Sequence, residues 1–476
     1  MGVQLEPWEA KKVPAMLDKN IKHALDAVMF RISDPERIPA KRYYDPGFFE
    51  AERQKLWPRV WQMACRLEEI QEIGDYVEYT MFEKRVIVIR GKSGVKAFHN
   101  VCRHRGMRLV EGSGNCKNTG IICPFHGWRY NAEGKNTFVF GRGVFSEEQL
   151  DPDEISLKPC GLELWGGCAF INFDDQAPSL LESLGPITEK LEARHVDKLR
   201  TEWWYASVLP VNWKLAVEAF QEMYHLMRTH PEMHRLTPGV FGLGDSSGVN
   251  PSRQSNGGQT VSELIDYFAN VSEGMAGVIH AGEIALLEQL RDMEVPDDPV
   301  QAAEIFMARA RDAITQDGRR RGLPIFDVKA VCEAYPSMAN EFIFPNFWFL
   351  PMFGCMASYR IRPLTPETCL FEIWSLILVP EGEPYASPRQ PTLLPHDSPD
   401  YPLIPRQDYS NLPNQQLGLR SGEIEFQRLS RTHEGLISNF HRLIDGYLAG
   451  LDGERLARAA HVVNGGSFLP IRDLGF

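Results

Sequence analysis

Two short segments constrain this chain more than anything else in it: Cys102-Arg103-His104 and, eighteen residues on, Cys123-Pro124-Phe125-His126. Each sets one thiolate and one imidazole within a single loop, and together they offer Cys₂His₂. Zinc would take all four at one tetrahedral ion, but zinc-finger spacing groups two Cys and then two His. The alternation here suits instead an iron–sulfur cluster with two Cys on one iron and two His on the other. Gly106 and Gly127, two and one residues after the respective His, permit tight loop tips. The surroundings are β-rich: YVEYT at 76–80, RVIVIR at 85–90, VKAFH at 95–99 and CAFINF at 168–173, bounded by Gly-containing turns. That texture indicates a compact antiparallel domain from about Tyr43 to Phe173.

A second constellation lies in NWKLAVEAFQEMYHLMRTH, residues 212–230. If the helix-like run from Trp213 to about Arg228 is continuous, Glu218, Glu222 and His225 fall at i, i+4 and i+7 and share a face. His230 does not, because five residues advance about 500°, roughly 140° away from His225. Pro231 biases His230 out of the helical conformation and lets its ring swing back. Two His plus one carboxylate with open positions is the facial triad of non-haem Fe(II) oxygenases. The carboxylate must come from elsewhere. His234 could compete on helical spacing, but Pro231 interrupts; it is read, with His280 and His441, as a satisfied core or surface residue.

The 476 residues suffice for two or three domains. A net charge of -12 argues against a nucleic-acid binder, which needs a basic face; Arg319 to Arg321 reads as a solvated turn. Nine cysteines, an odd and irregular set, fit reduced or metal-holding thiols better than a disulfide framework. The longest apolar stretch, Phe342 to Ala357, is broken by Pro345, Asn346 and Pro351, so no membrane segment is expected. The N-terminus shows no secretory pattern, and the cytoplasm is the default compartment. Met16, Ile21, Ala24, Leu25, Val28 and Met29 suggest an N-terminal helical arm that stops at Asp34-Pro35. Beyond Asp174 strands are expected at 201–209, 342–350, 356–362 and 369–379, with helices at 281–293, 299–316 and about 422–451. Eight prolines between 380 and 405 make that segment an extended surface loop, equally readable as a lid. Phe342, Phe344, Phe347, Trp348, Phe349 and Phe353 could wall an apolar pocket, though aromatics on a strand are more often core.

On CRHRG, CPFHGW and the 212–230 segment, the chain resembles the Rieske non-haem iron oxygenases, specifically the α subunits of ring-hydroxylating oxygenases, over nearly its full length. The resemblance implies an α+β protein: an N-terminal helical arm (1–42) packing on the catalytic domain, an all-β Rieske [2Fe–2S] domain (43–173), and a larger α+β catalytic domain (174–476) of helix-grip type, an antiparallel sheet with helices. It implies cluster ligands Cys102, His104, Cys123 and His126. His225 and His230 would hold a mononuclear Fe(II), with Asp408 in IPRQDYSNLPNQQLGLRS as the carboxylate and Asp397, Asp400, Glu423 and Glu425 as rivals. Glu222 would bridge His225 to a cluster His, His104 or His126, of a neighbouring subunit. The bridging residue is most often Asp in the family, and Ala219 replaces a common Asn; both are departures. Three α subunits would form a ring, α3 or α3β3. O2 would be co-substrate and NAD(P)H the electron source through a separate reductase, with or without a ferredoxin between them, since no G-x-G-x-x-G fingerprint is found. The expected substrate is an aromatic or other hydrophobic small molecule, oxygenated at one carbon or two. The alternative is an O- or N-demethylase or an amine-oxidising monooxygenase, toward which Glu at the bridge leans.

Overall fold

Alternating apolar residues build the first half. In the computed structural model, which describes residues 19–230, 260–275, 277–336, 340–466 and 469–476, Asp75–Met81, Lys84–Gly91 and Gly94–His99 form an antiparallel meander, and Ser113–Asn115 pairs with the first of them. The period of two divides Lys84–Gly91 between cores: Val86 and Val88 face the main one, whereas Ile87 and Ile89 pack with Cys102, Cys123 and Trp128. A second small sheet joins Ile121–Ile122, Arg129–Tyr130 and Asn136–Phe138, and a third joins Gly161–Trp165, Cys168–Asn172 and Gln62–Arg66. The cluster-type loops lie between these strands.

The second half is organised on a six-stranded sheet in the order Glu341–Ile343, Phe347–Pro351, Met356–Thr365, Thr368–Leu378, Leu199–Leu209, Thr392–Leu393. Every pairing is antiparallel except the last. Helices and antiparallel sheets together give the expected α+β class. The aromatic segment supplies both faces: Phe347 and Phe349 pack with Trp165 and Trp374, while Phe342, Phe344, Trp348 and Phe353 belong to the main core. It is core throughout. Arg360 joins the halves, donating in parallel to both Glu372 carboxylate oxygens at 2.7 Å and, through its Nη1, to the Met63 and Ala64 carbonyls.

Several expectations are corrected. Among the described residues the N-terminal helix covers only Lys19–Asp26, so Val28 and Met29 lie beyond it, and Met16 is outside the described residues. The chain then turns, the Ile32 N–H donating to Asp445 Oδ2 at 2.9 Å, and Arg37–Pro39 pairs with Phe426–Arg428. Within the stretch read as β lies a helix, Pro46–Lys55, started by the Asp45 side chain accepting from Phe48 N with Pro46 in the first turn. The helix expected at 422–451 forms only over Gly435–Leu448; Gly422 at φ +83° and the short strand take up its first part, and a separate helix, Leu403–Arg420, precedes them. Pro405 sits in the first turn, where proline is tolerated, and Pro413 is accommodated inside because Ile404, Tyr409, Leu412 and Leu419 bury the helix. Arg319 and Arg320 close the Pro299–Arg320 helix rather than forming a turn, a position its dipole favours for cations. No described helix is long and apolar enough to cross a membrane.

Candidate metal centres

The two Cys/His loops are built alike. Cys102 N donates to Met107 O and Gly106 N to Cys102 O; Cys123 N donates to Trp128 O and Gly127 N to Cys123 O. Gly106 and Gly127 sit at φ +76° and +70°, the left-handed conformation that closes each tip. The loops face one another, with the His104 and His126 ring centroids 4.6 Å apart and both thiols buried. Trp128 stacks on His104 at 4.9 Å, and the Tyr130 hydroxyl lies 3.3 Å from Cys102 Sγ while accepting from Arg103 N. Burial pushes the Cys102 thiol up and holds the His104 imidazole down, the latter with help from His126. His104 Nδ1 is buried and has no hydrogen-bond partner among the described residues. Two buried thiols and an orphaned ring nitrogen fit a cluster better than a purely structural role.

The second centre depends on a broken helix. Trp213–Glu218 is helical, but the chain then unwinds before a single further turn, Leu226–Thr229. The Glu222 carboxylate accepts the backbone N–H groups of Tyr224 and His225, offering the backbone an alternative to helical bonds. The shared face expected for Glu218, Glu222 and His225 is therefore lost. His230, at φ -122° and ψ 68°, has left the helical conformation, and its ring centroid is 5.3 Å from that of His225; Pro231 and His234 lie outside the described residues.

From the Leu403–Arg420 helix Asp408 reaches this pair, its Oδ1 lying 3.0 Å from His230 Nε2 and 3.6 Å from His225 Nε2. Ligand atoms of the three residues fall within 4.8 Å of one another, the sole such group of His, Cys, Asp or Glu among the described residues. The other ring nitrogens are tied back: His225 Nδ1 to Glu222 Oε1 at 2.6 Å and His230 Nδ1 to Gln407 Oε1 at 2.7 Å. Both imidazoles thus direct Nε2 at one point, the arrangement a mononuclear metal requires. Burial works against the charge of His225, but Glu222 and then Asp408 outweigh it and raise its pKa. Asp397, Asp400, Glu423 and Glu425 are all exposed and outside the group. Gln407 was not foreseen; its only signal is adjacency to Asp408.

A cavity of about 320 Å³ opens on this centre, lined by His225, Asp408, Glu222, Glu218, Ala219 and Glu434 among others. A larger cleft of about 690 Å³ lies against residues 379–385 and holds none of the candidate ligands, so chemistry rather than size locates the centre. The proline-rich segment borders that cleft and reaches back to Glu68 and Asp75 through Ser387 and Arg389; it does not line the metal cavity. Glu218 turns away from the metal into a buried network. Arg42 Nε donates to His441 Nδ1 at 3.1 Å, which leaves the neutral ring's proton on Nε2 to donate to Glu218 Oε1 at 2.7 Å. His441 is thus the satisfied core residue expected, and His280 pairs with Glu202 at a helix start.

Residues 60–139 match the Rieske [2Fe-2S] domain and residues 192–450 the ring hydroxylating alpha subunit (catalytic domain). A carnitine monooxygenase oxygenase subunit of Escherichia coli is 34% identical over 197 residues, 41% of this chain and 52% of that protein. A glycine betaine monooxygenase oxygenase subunit of Pseudomonas aeruginosa is 30% identical over 234 residues, 49% of this chain and 51% of that protein. The matched stretch thus spans about half the length of these relatives. Two solved structures share the fold. A quaternary ammonium Rieske monooxygenase in complex with gamma-butyrobetaine covers 87% of this chain and 97% of its own at TM-score 0.57 and 19% identity. A naphthalene 1,2-dioxygenase variant bound to phenanthrene covers 92% and 97% at TM-score 0.63 and 20% identity. A [2Fe–2S] cluster and a mononuclear iron are the cofactors of the two matched domains. With its catalytic-domain match covering more than half the sequence, the chain belongs to the ring-hydroxylating α-subunit family of Rieske non-haem iron oxygenases.

Proposed function

We propose that the chain is the terminal oxygenase of a Rieske system that oxidises an amine, with trimethylated (quaternary) ammonium compounds as the first class to test. The observation that carries the oxygenase reading is the convergence of His225 Nε2 and His230 Nε2 on Asp408, each ring held from behind by a separate acceptor. Cys102, Cys123, His104 and His126 are the cluster ligands in this reading; His225, His230 and Asp408 hold the iron. The iron supplies the reduction of O2 and the transfer of one oxygen atom to substrate. The chain's own residues hold the ligands, limit water in the cavity and place the substrate. Glu222 links His225 to a cluster histidine of a neighbouring subunit, which requires a homo-oligomer, a ring of three in this proposal. Electrons come from NAD(P)H through a separate reductase. Residues 43–173 and 174–476 are proposed as the two domains.

The substrate class rests on the carnitine and glycine betaine monooxygenase subunits among the relatives, and on Glu rather than Asp at position 222. These favour the amine alternative over the aromatic substrate expected first. The aromatic segment 342–353, the wall envisaged for an aromatic ring, is core and does not line the described metal cavity. The test is anaerobic purification, iron and sulfide analysis, then O2 uptake and product detection with trimethylated amines beside aromatic hydrocarbons. Substrate-dependent O2 uptake with oxidised amine supports the reading. Uptake with the hydrocarbons alone, or protein carrying zinc and no sulfide, overturns it.

A further inference from the structure

Beside the metal ligand Asp408, Tyr409 begins a run of rings unlike the rest of the core. Its ring centroid is 5.4 Å from that of Tyr401, Tyr401 is 5.9 Å from Tyr205, and Tyr205 stacks on Trp203 at 4.7 Å. All three steps lie within the spacing of packed aromatic pairs. Tyr409 and Tyr401 are buried, whereas Tyr205 and Trp203 are partly exposed on the Leu199–Leu209 strand, so the run leads outward from the metal centre. Every member is Tyr or Trp, the side chains that give up an electron most readily. On its other side Tyr409 meets Phe371, which packs on Phe220, and phenylalanine does not take part in such transfer.

We propose that Tyr409, Tyr401, Tyr205 and Trp203 form a relay that carries an oxidising equivalent from the iron site to the protein surface when no substrate accepts it. The proposal rests on the oxygenase reading, which supplies the oxidant. In each event one electron passes inward, from Trp203 through the three tyrosines to the metal site, where a proton from the cavity accompanies it. The deficit ends on Trp203, whose indole N–H proton is released to water, leaving a neutral indolyl radical. A soluble one-electron, one-proton donor of the thiol class restores it, and the tyrosines return to their starting state.

The hydroxyl environments divide the labour. Among the described residues the Tyr409 hydroxyl has no hydrogen-bond partner, so Tyr409 serves as a bridge. Tyr401 OH lies 2.7 Å from Ser207 Oγ, which is 2.5 Å from the Leu394 carbonyl; a serine that donates to the carbonyl accepts from the tyrosine. Tyr401 is therefore the intermediate stop of the deficit on its way to Trp203, its phenolic proton remaining within that bond and returning on re-reduction.

The test uses the full-length protein with its iron and sulfide verified, reduced chemically and exposed to O2 without substrate, with catalase and a nitroso spin trap present. Adducts are located by peptide mass spectrometry. The expected result is labelling of Trp203 in the unaltered protein and a several-fold loss of that label in Tyr401→Phe, with damage shifting toward Tyr409 and the metal ligands. Trp203→Phe, at a partly exposed position, provides a second variant and should move the label inward to Tyr205. Undiminished Trp203 labelling in Tyr401→Phe overturns the relay, as do unlabelled rings in protein that consumes O2. Reduced protein that consumes O2 only once a trimethylated amine is added keeps the oxygenase reading and overturns the relay; iron-loaded, reduced protein that consumes none in either case overturns both.

Discussion

Glu222 Oε1 accepts the Nδ1–H of His225 at 2.6 Å, and Oε2 takes the backbone N–H groups of Tyr224 and His225. One carboxylate therefore orients a metal ligand and fixes the turn that presents it. Loss of such a partner commonly costs 10- to 100-fold in metal affinity. Glu222→Ala should release iron at roughly that cost in an iron titration while leaving acid-labile sulfide unchanged. Glu222→Gln keeps an acceptor for His225 and should keep iron; if the carboxylate also links the two centres, Gln slows cluster reoxidation at full iron content. Equal iron affinity in Ala and unaltered protein removes Glu222 from the support of His225.

Tyr130 places its hydroxyl 3.3 Å from Cys102 Sγ. A hydrogen bond to a ligating sulfur stabilises the reduced, more negative cluster, so removing it lowers the reduction potential. Tyr130→Phe should shift the potential downward by roughly 40 mV, the equivalent of about 1 kcal/mol for a one-electron couple. Protein-film voltammetry reads this directly. An unchanged potential with intact sulfide content assigns Tyr130 to packing alone.

What could be read in the sequence was local. That Cys102 and His104 would meet Cys123 and His126 follows from loops whose ligand spacing and glycines lie within a few residues. The antiparallel strands showed in their alternation. The departure of His230 from the helix showed in the proline that follows it. Asp408 could be reached only through the family resemblance, because spacing says nothing about a partner on a distant helix. Gln407 and Tyr130 were hidden for the same reason: a side-chain hydrogen bond is fixed by tertiary placement. The break after Glu218 was missed because residues 213–228 have helical spacing, while the Glu222 carboxylate that accepts from the unwound backbone and the Tyr43–His441 network that holds Glu218 leave no mark in that spacing. The prolines argued for a loop through 405, but the helix Leu403–Arg420 takes in the last three residues of that span, with Pro405 in its first turn.

Metal removal should loosen more than the centre. His225 and His230 flank one helical turn and Asp408 belongs to a helix far along the chain, so a bound ion cross-links them. Binding to the folded state alone adds about 2.7 kcal/mol of stability at 100 times Kd. Chelation of the mononuclear iron with the cluster left intact should lower Tm, and Fe(II) should restore it. Asp408→Ala should have a Tm insensitive to added Fe(II). A variant that responds as the unaltered protein does places the metal elsewhere.

Glu218 supplies a pH signature. Its carboxyl is fully enclosed, and burial, only partly offset by Tyr43, Lys214 and Arg42, raises its pKa to about 8. The folded state therefore keeps a proton that the unfolded chain loses near 4.5, so the contribution is complete below that value and withdrawn as pH climbs through about 8. His441 acts in the opposite sense: burial, then Arg42 and Lys214, hold its pKa well below 6.5, so its contribution is lost only as pH falls below that value. Between those limits Glu218 is the member of the pair that titrates. Glu69, raised by burial to about 8 as well, adds a similar slope, so the comparison must be a difference between proteins. Glu218→Gln keeps an acceptor for His441 and cannot ionise. The Tm of the unaltered protein minus that of Glu218→Gln should decline as pH rises from about 6.5 to about 9. A difference that stays constant over that range means Glu218 is already ionised in the folded protein and its buried network is an ion cluster.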